Sequence, residues 1–123
     1  MVEYEKQDLK VRTKQFALRI IRLYTCLPKT TEAQVIGRQV LNSGTSAGAQ
    51  YREAQRAKSD ADFISKVEGS LQELDETAYW LELLRDSRMV SVEKLNPLLK
   101  ETDELTAIFV TIVKKVKGKR PRR

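Results

Sequence analysis

Apolar residues recur along the chain at spacings of three and four rather than in alternation, so the pattern predicts helices and no strands. The first helix runs from about Asp8, a candidate N-cap, to Cys26, with Leu9, Phe16, Ile20, Leu23 and Leu27 on one face and Pro28 closing it. A Thr31-x-x-Gln34 capping box opens the second, whose stripe of Ile36, Val40, Ala47, Tyr51 and Ala54 reaches about Arg56. Ser59, with Asp62 three residues on, opens the third. Its core line is Phe63, Val67, Leu71, Leu74, Ala78 and Leu81, widened by Trp80 and Leu84, and it ends near Ser87. The fourth starts with a turn at Ser91. Asn96-Pro97 reads as a second N-cap and first helical position, because proline inside a helix loses a hydrogen bond and clashes with the turn before it. Leu98, Leu105, Phe109, Ile112 and Val116 line one face up to Gly118, after Met89 and Val90 anchor the turn. The predicted helices are 8–26, 31–56, 59–87 and 91–117. Their short connections imply an all-α, up-down-up-down four-helix bundle over residues 1–117, followed by a basic flexible tail at 118–123.

The second helix contains Ser43-Gly-Thr-Ser-Ala-Gly-Ala49, seven small residues in a row. Each glycine costs a helix about 1 kcal/mol relative to alanine, so tertiary packing must compensate. Gly37, Gly44 and Gly48 leave room for a backbone or large ring, and Tyr79 and Trp80 of the third helix are the expected fillers. A phosphate-cradling loop needs a turn opening onto a helix N-terminus, whereas this run lies mid-helix and matches no such motif. Gly44, Gly48, Tyr51 and Trp80 are therefore close-packing or interface residues.

Charge is distributed unevenly. The chain of 123 residues carries a formal charge of +6, yet Lys114, Lys115, Lys117, Lys119, Arg120, Arg122 and Arg123 alone contribute +7. Residues 1–58 hold 11 basic and 5 acidic groups, and residues 59–113 hold 5 basic and 12 acidic. The halves of the body are thus oppositely charged, which suits complementarity between helices or between subunits. A basic tail suits phosphate backbones or anionic surfaces. The nucleic-acid candidates are that tail with Arg12, Arg19, Arg22 and Arg38, supported by Lys10, Lys14, Arg52, Arg56 and Lys58. Exposed aromatics are few (Tyr4 and Tyr24), which points to backbone contact rather than base stacking.

Length allows one domain. There is no histidine, which removes the imidazole base, the Ser-His and Cys-His pairs and the imidazole metal ligand. The single cysteine, Cys26, cannot form an internal disulfide and reads as a small apolar residue, although Arg22 lies one turn away. Glu73 and Glu76, with Glu101, Asp103 and Glu104 on the next helix, lack the histidine of a di-metal carboxylate site and read as a solvated or ion-paired face, Glu53 and Glu73 facing Arg52, Arg38 or a neighbouring subunit. No apolar run is long enough to span a bilayer and no signal region is visible, so a cytoplasmic, non-membrane, cofactor-free, non-enzymatic protein is expected.

The run Ser43-Gly44-Thr45-Ser46 through Gly48-Ala49 to Tyr51-Arg52-Glu53-Ala54, then Ala61-Asp62-Phe63-Ile64-Ser65-Lys66, Asp75-Glu76-Thr77 and Tyr79-Trp80-Leu81-Glu82-Leu83-Leu84, resembles the bacterial rRNA intervening-sequence proteins. The resemblance reaches Asp103-Glu104-Leu105 and Ile108-Phe109-Val110 in the fourth helix. It implies a four-helix bundle that assembles into a homo-oligomeric ring, commonly a pentamer. It also implies likeness to the accessory subunit of diversity-generating retroelements, a basic barrel that binds nucleic acid and a reverse transcriptase. The chain departs from the pattern at Ala47, where a larger aliphatic is usual, at Gln50, where asparagine is usual, and at Arg88, where glycine ends the third helix. Arg88 must therefore adopt a left-handed conformation or the turn must be rebuilt. The resemblance supplies no catalytic residue. The function expected is a homo-oligomeric bundle that binds DNA, RNA or a nucleic-acid-handling partner, the alternative being a protein-protein scaffold; a small-ligand or metal site inside the bundle is a weaker third.

Overall fold

A computed structural model of the chain describes residues 3–119, with side chains from Leu9 onward. It consists of four α-helices, α1 Glu3–Thr25, α2 Thr31–Gln55, α3 Asp60–Asp86 and α4 Val92–Gly118, and no strand among the described residues. α1 begins five residues before Asp8, which is therefore inside the helix and not its cap. α2 is capped one residue earlier than the Thr31 box predicts. Thr30 Oγ1 accepts from the Ala33 amide at 3.3 Å, and Gln34 Nε2 donates to the Pro28 carbonyl at 2.9 Å instead of reaching back to the cap. Ser59 does cap α3, accepting from the Asp62 amide at 3.1 Å.

Arg88 takes φ 64°. Its amide donates to Arg85 O at 3.0 Å and the Met89 amide donates to Leu84 O at 3.1 Å, the paired bonds of a Schellman stop built without glycine. Pro97 does not restart α4; it lies inside one continuous helix. The donor it removes would have served the carbonyl of Glu93, an exposed residue of the first turn, and the helix continues past the proline.

Each helix packs on its neighbour in sequence, and α1 meets α4 by the least extensive contact, leaving α1 diagonal to α3 and α2 diagonal to α4. Along the α1–α2 seam residue numbers run in opposite senses. A Cβ built on Gly37 would strike Leu27 and Tyr24, one on Gly44 would lie 2.8 Å from Ile20, and one on Gly48 would lie 3.0 Å from Thr13. The glycines are thus filled from α1 and the turn that follows it, not by Tyr79 and Trp80 as expected. Tyr79 is 55 % exposed, and Trp80 is half-buried against it with ring centroids 5.0 Å apart.

The α2–α3 seam uses the other small residues. Ser70 Oγ donates to the Ala47 carbonyl at 2.8 Å, and Thr77 Oγ1 hydrogen-bonds Ser43 Oγ at 2.8 Å, all buried. Gln50 covers Gly69 on the same seam. These bonds explain why Ser70 and Thr77 occupy core positions that the apolar pattern assigned to Leu71 and Ala78, both only partly buried along with Phe63. Ile36 likewise cedes its place to Ala33 and Gly37. Tyr51 and Phe109, both fully buried, meet across the α2–α4 diagonal with ring centroids 5.2 Å apart and fill the centre. Thr13 and Thr102, buried at the α1 and α4 seams, return their hydroxyls to the Leu9 and Leu98 carbonyls of their own helices at 2.8 and 2.7 Å.

Candidate nucleic-acid interface

From Leu9 to Thr31 the chain carries Lys10, Arg12, Lys14, Arg19, Arg22 and Lys29 and no carboxylate. Because α1 buries Leu9, Thr13, Phe16, Ile20 and Leu23, the five of these cations that it carries lie on its solvent and α4 sides, and Lys29 is exposed in the turn that follows. They do not form one patch. Arg12 turns to α4, where Nε donates to Glu101 at 3.0 Å, Nη2 donates to the other oxygen of the same carboxylate at 2.6 Å, and Glu104 stands at 3.5 Å. This fork engages Arg12 in holding α1 to α4 and in neutralising two of the carboxylates considered for a metal. Arg38 is exposed on α2 and does not line the groove that gathers Arg19 and Arg22.

Arg19 and Arg22 are brought together, and Lys94 joins them from α4. With Leu23, Cys26 and Leu98 they line a groove of about 250 Å³. Lys94 escapes sequence reasoning, since only the opposed register of α1 and α4 sets it opposite Arg19 and Arg22. Lys94, Leu98 and Glu101 share one side of α4 by their spacing of four and three, and that is the only signal the chain offers.

The C-terminal charges divide. Lys114, Lys115 and Lys117 are exposed residues of α4, and Lys117 reaches Glu68 of α3 at 3.6 Å. Lys119 caps the helix and, with Lys58, Tyr51 and Phe63, borders a cavity of about 450 Å³ at the α2–α3 turn. Arg120, Arg122 and Arg123 lie outside the described residues.

The acidic side of the molecule is α3. Glu68, Asp75, Glu82 and Asp86 are exposed at helical spacing around Tyr79. Glu53 of α2 pairs with Lys66 at 3.8 Å. Glu73, half-buried against α2, has its carboxyl held above the ordinary range chiefly by desolvation and then by the charge of Glu76, with the Ser46 hydroxyl opposing. Among the described residues no three Cys, Asp or Glu side chains converge as a cation cluster, and no helix is long and apolar enough to cross a membrane.

The profile of the 23S rRNA-intervening sequence proteins matches residues 5–111, a range that takes in α2 and α3 and most of α1 and α4 and stops before the C-terminal charge run. A solved crystal structure from Bacteroides thetaiotaomicron, a protein of unknown function from the S23 ribosomal protein family, superposes with a TM-score of 0.82 at 39 % identity, covering 86 % of this chain and 98 % of that one. No curated protein matches the chain. With its four helices, the small-residue seam on α2 and the profile match over most of its length, the chain belongs to the 23S rRNA-intervening sequence protein family.

Proposed function

We propose that the chain is a non-enzymatic, cytoplasmic, homo-oligomeric bundle that binds DNA or RNA through backbone phosphates, using the cationic surface of α1 and the C-terminal charge run. The observation that carries this reading is the carboxylate-free stretch of six cations from Leu9 to Thr31, with Lys10, Lys14, Arg22 and Lys29 exposed. Lysine and arginine displayed without neighbouring acid release counterions from a phosphate backbone and so bind it regardless of sequence. A nucleic-acid-handling protein such as a reverse transcriptase is the partner such a complex would serve.

Opposed registers along the seams support the up-down-up-down order, and the outer faces support a ring. α1 exposes Val11, Leu18 and Ile21 at 54, 42 and 42 %, on one stripe among its cations. Three of the exposed large apolar side chains thus gather on α1, whereas α3 presents only Tyr79 among the described residues, on an acidic outer face. Since α1 and α3 are diagonal, a basic-apolar face docking on the acidic-aromatic face of the next copy is a head-to-tail contact, the kind that closes into a ring, with a pentamer favoured. In such a contact Lys10 and Lys14 meet the acids of the next copy, and the cations left for phosphate, Arg19 and Arg22 on the α4 side with the C-terminal run, are repeated around the ring, giving multivalent attachment.

A gel-shift titration with mixed-sequence duplex and single-stranded probes at low salt tests the reading. Binding without sequence preference is expected. No binding at low salt would leave the scaffold alternative in its place.

A further inference from the structure

We infer that the groove between the C-terminal half of α1 and the first turns of α4 is a phosphate-binding site held by Arg19, Arg22 and Lys94. The inference rests on the proposed nucleic-acid reading for the source of the phosphate, and it names the place where that phosphate is gripped.

Three cations from two helices converge on one groove of about 250 Å³, and no carboxylate lines it. None of the three forms an ion pair among the described residues, whose pairs involve Arg12, Lys66, Arg85 and Lys117. The acids nearest in sequence are accounted for. Glu101, seven residues beyond Lys94 and about 10 Å along the helix, holds Arg12, and Glu93 does not line the groove. α1 contributes no acid on this side, since it has none from Leu9 onward. Three like charges gathered without a counter-charge repel one another, and an anion seated among them relieves that repulsion.

The donor set fits a phosphate in particular. Two guanidinium forks offer paired N–H donors to its oxygens, and the ammonium adds a mobile point charge from the opposite wall. The floor is Leu23 and Leu98, both nearly fully buried, with no aromatic ring among the lining residues on which a base could stack. The groove is therefore suited to the sugar-phosphate backbone and blind to sequence. It lies along the α1–α4 seam, the least extensive helix contact in the bundle.

Cys26 supplies the test. It is the chain's one thiol, it is exposed, and it lines the groove, so its alkylation by iodoacetamide reports occupancy. Full-length protein is alkylated alone, with pyrophosphate, and with a mixed-sequence single-stranded oligonucleotide, beside the Arg22→Gln/Lys94→Gln variant, in which both altered side chains are exposed and circular dichroism checks the fold. The oligonucleotide should slow alkylation of the wild-type chain about tenfold at saturation, and the variant should lose that protection together with about tenfold in affinity. Oligonucleotide binding with Cys26 unprotected, and the variant binding as tightly as wild type, would overturn the groove while leaving the wider nucleic-acid reading on the C-terminal charges. Protection by pyrophosphate that the variant lacks, without oligonucleotide binding, would uphold the groove as a site for a small phosphate and overturn the nucleic-acid reading. Absence of protection by either ligand would overturn the groove.

Discussion

Arg12 and Glu101, 89 positions apart, form a two-bond fork at 2.6 and 3.0 Å across the weakest seam of the bundle. Side-chain exposures of 28 and 16 % put the pair between surface and core, where geometry rather than burial decides its worth. Arg12→Ala should cost about 1–2 kcal/mol in urea unfolding, since two charge-assisted bonds are lost and Glu101 is left half-buried without its partner. Glu104→Ala, which removes only the 3.5 Å rim contact, should cost little. A double-mutant cycle of Arg12 with Glu101 that returns no coupling would show the fork to be incidental.

The small-residue seam predicts a contrast between glycines. Gly48→Leu puts a side chain into Thr13, which is itself fixed by its bond to Leu9 O, and should cost about 1–3 kcal/mol. Gly118→Ala, with nothing within 4 Å of the new methyl, should be neutral or stabilising by up to about 1 kcal/mol. Thermal unfolding of the two variants reads the difference, and equal midpoints would deny that the α2 glycines serve packing.

At the α3 stop, Arg88 pays a steric penalty at φ 64° that glycine would not. Arg88→Gly should therefore stabilise the chain by about 1 kcal/mol, because Arg88 is exposed and forms no ion pair among the described residues. An unchanged or lowered unfolding midpoint would mean that the side chain itself contributes at this turn.

Glu73 gives a pH test. Its folded carboxyl is held above the ordinary value of 4.5, so the folded state binds that proton more tightly than the unfolded state does. The contribution is fully present below 4.5 and is lost as pH rises through the raised value. Glu73→Gln, which keeps an acceptor for Ser46, should melt higher than wild type at pH 7, with the advantage fading toward pH 4. A constant advantage across that range would assign it to something other than the carboxyl's ionisation.

Helix number and most boundaries were legible because caps and punctuation are local. Ser59 meets Asp62, and the chain turns at Arg88, both readable from neighbours in sequence. What was not legible is which helix covers which side of a stripe. Spacing puts Gly37, Gly44 and Gly48 on one face of α2, but nothing in it says that Thr13, Ile20 and Leu27 fill the gap rather than Tyr79 and Trp80. Ser70 and Thr77 were passed over for the core because their hydroxyls read as polar until Ala47 O and Ser43 stand opposite them. The same limit hid Lys94, whose meeting with Arg19 and Arg22 depends on the α1–α4 register alone.

A salt series of binding isotherms tests whether the cations of α1 and of the C-terminal run carry the proposed phosphate binding. Intact protein is compared with a chain ending at Gly118, which keeps α4 whole while removing Lys119, Arg120, Arg122 and Arg123. Each phosphate neutralised contributes about −0.9 to the slope of log K against log salt on duplex DNA, so truncation should flatten the slope by up to about 3–4 and lower affinity. The residual slope should be that of α1 together with Lys114, Lys115 and Lys117, and Arg22→Gln/Lys94→Gln in the truncated chain should flatten it further. Intact protein that binds neither duplex nor single strand at low salt, or binds with a slope near zero, would contradict the account.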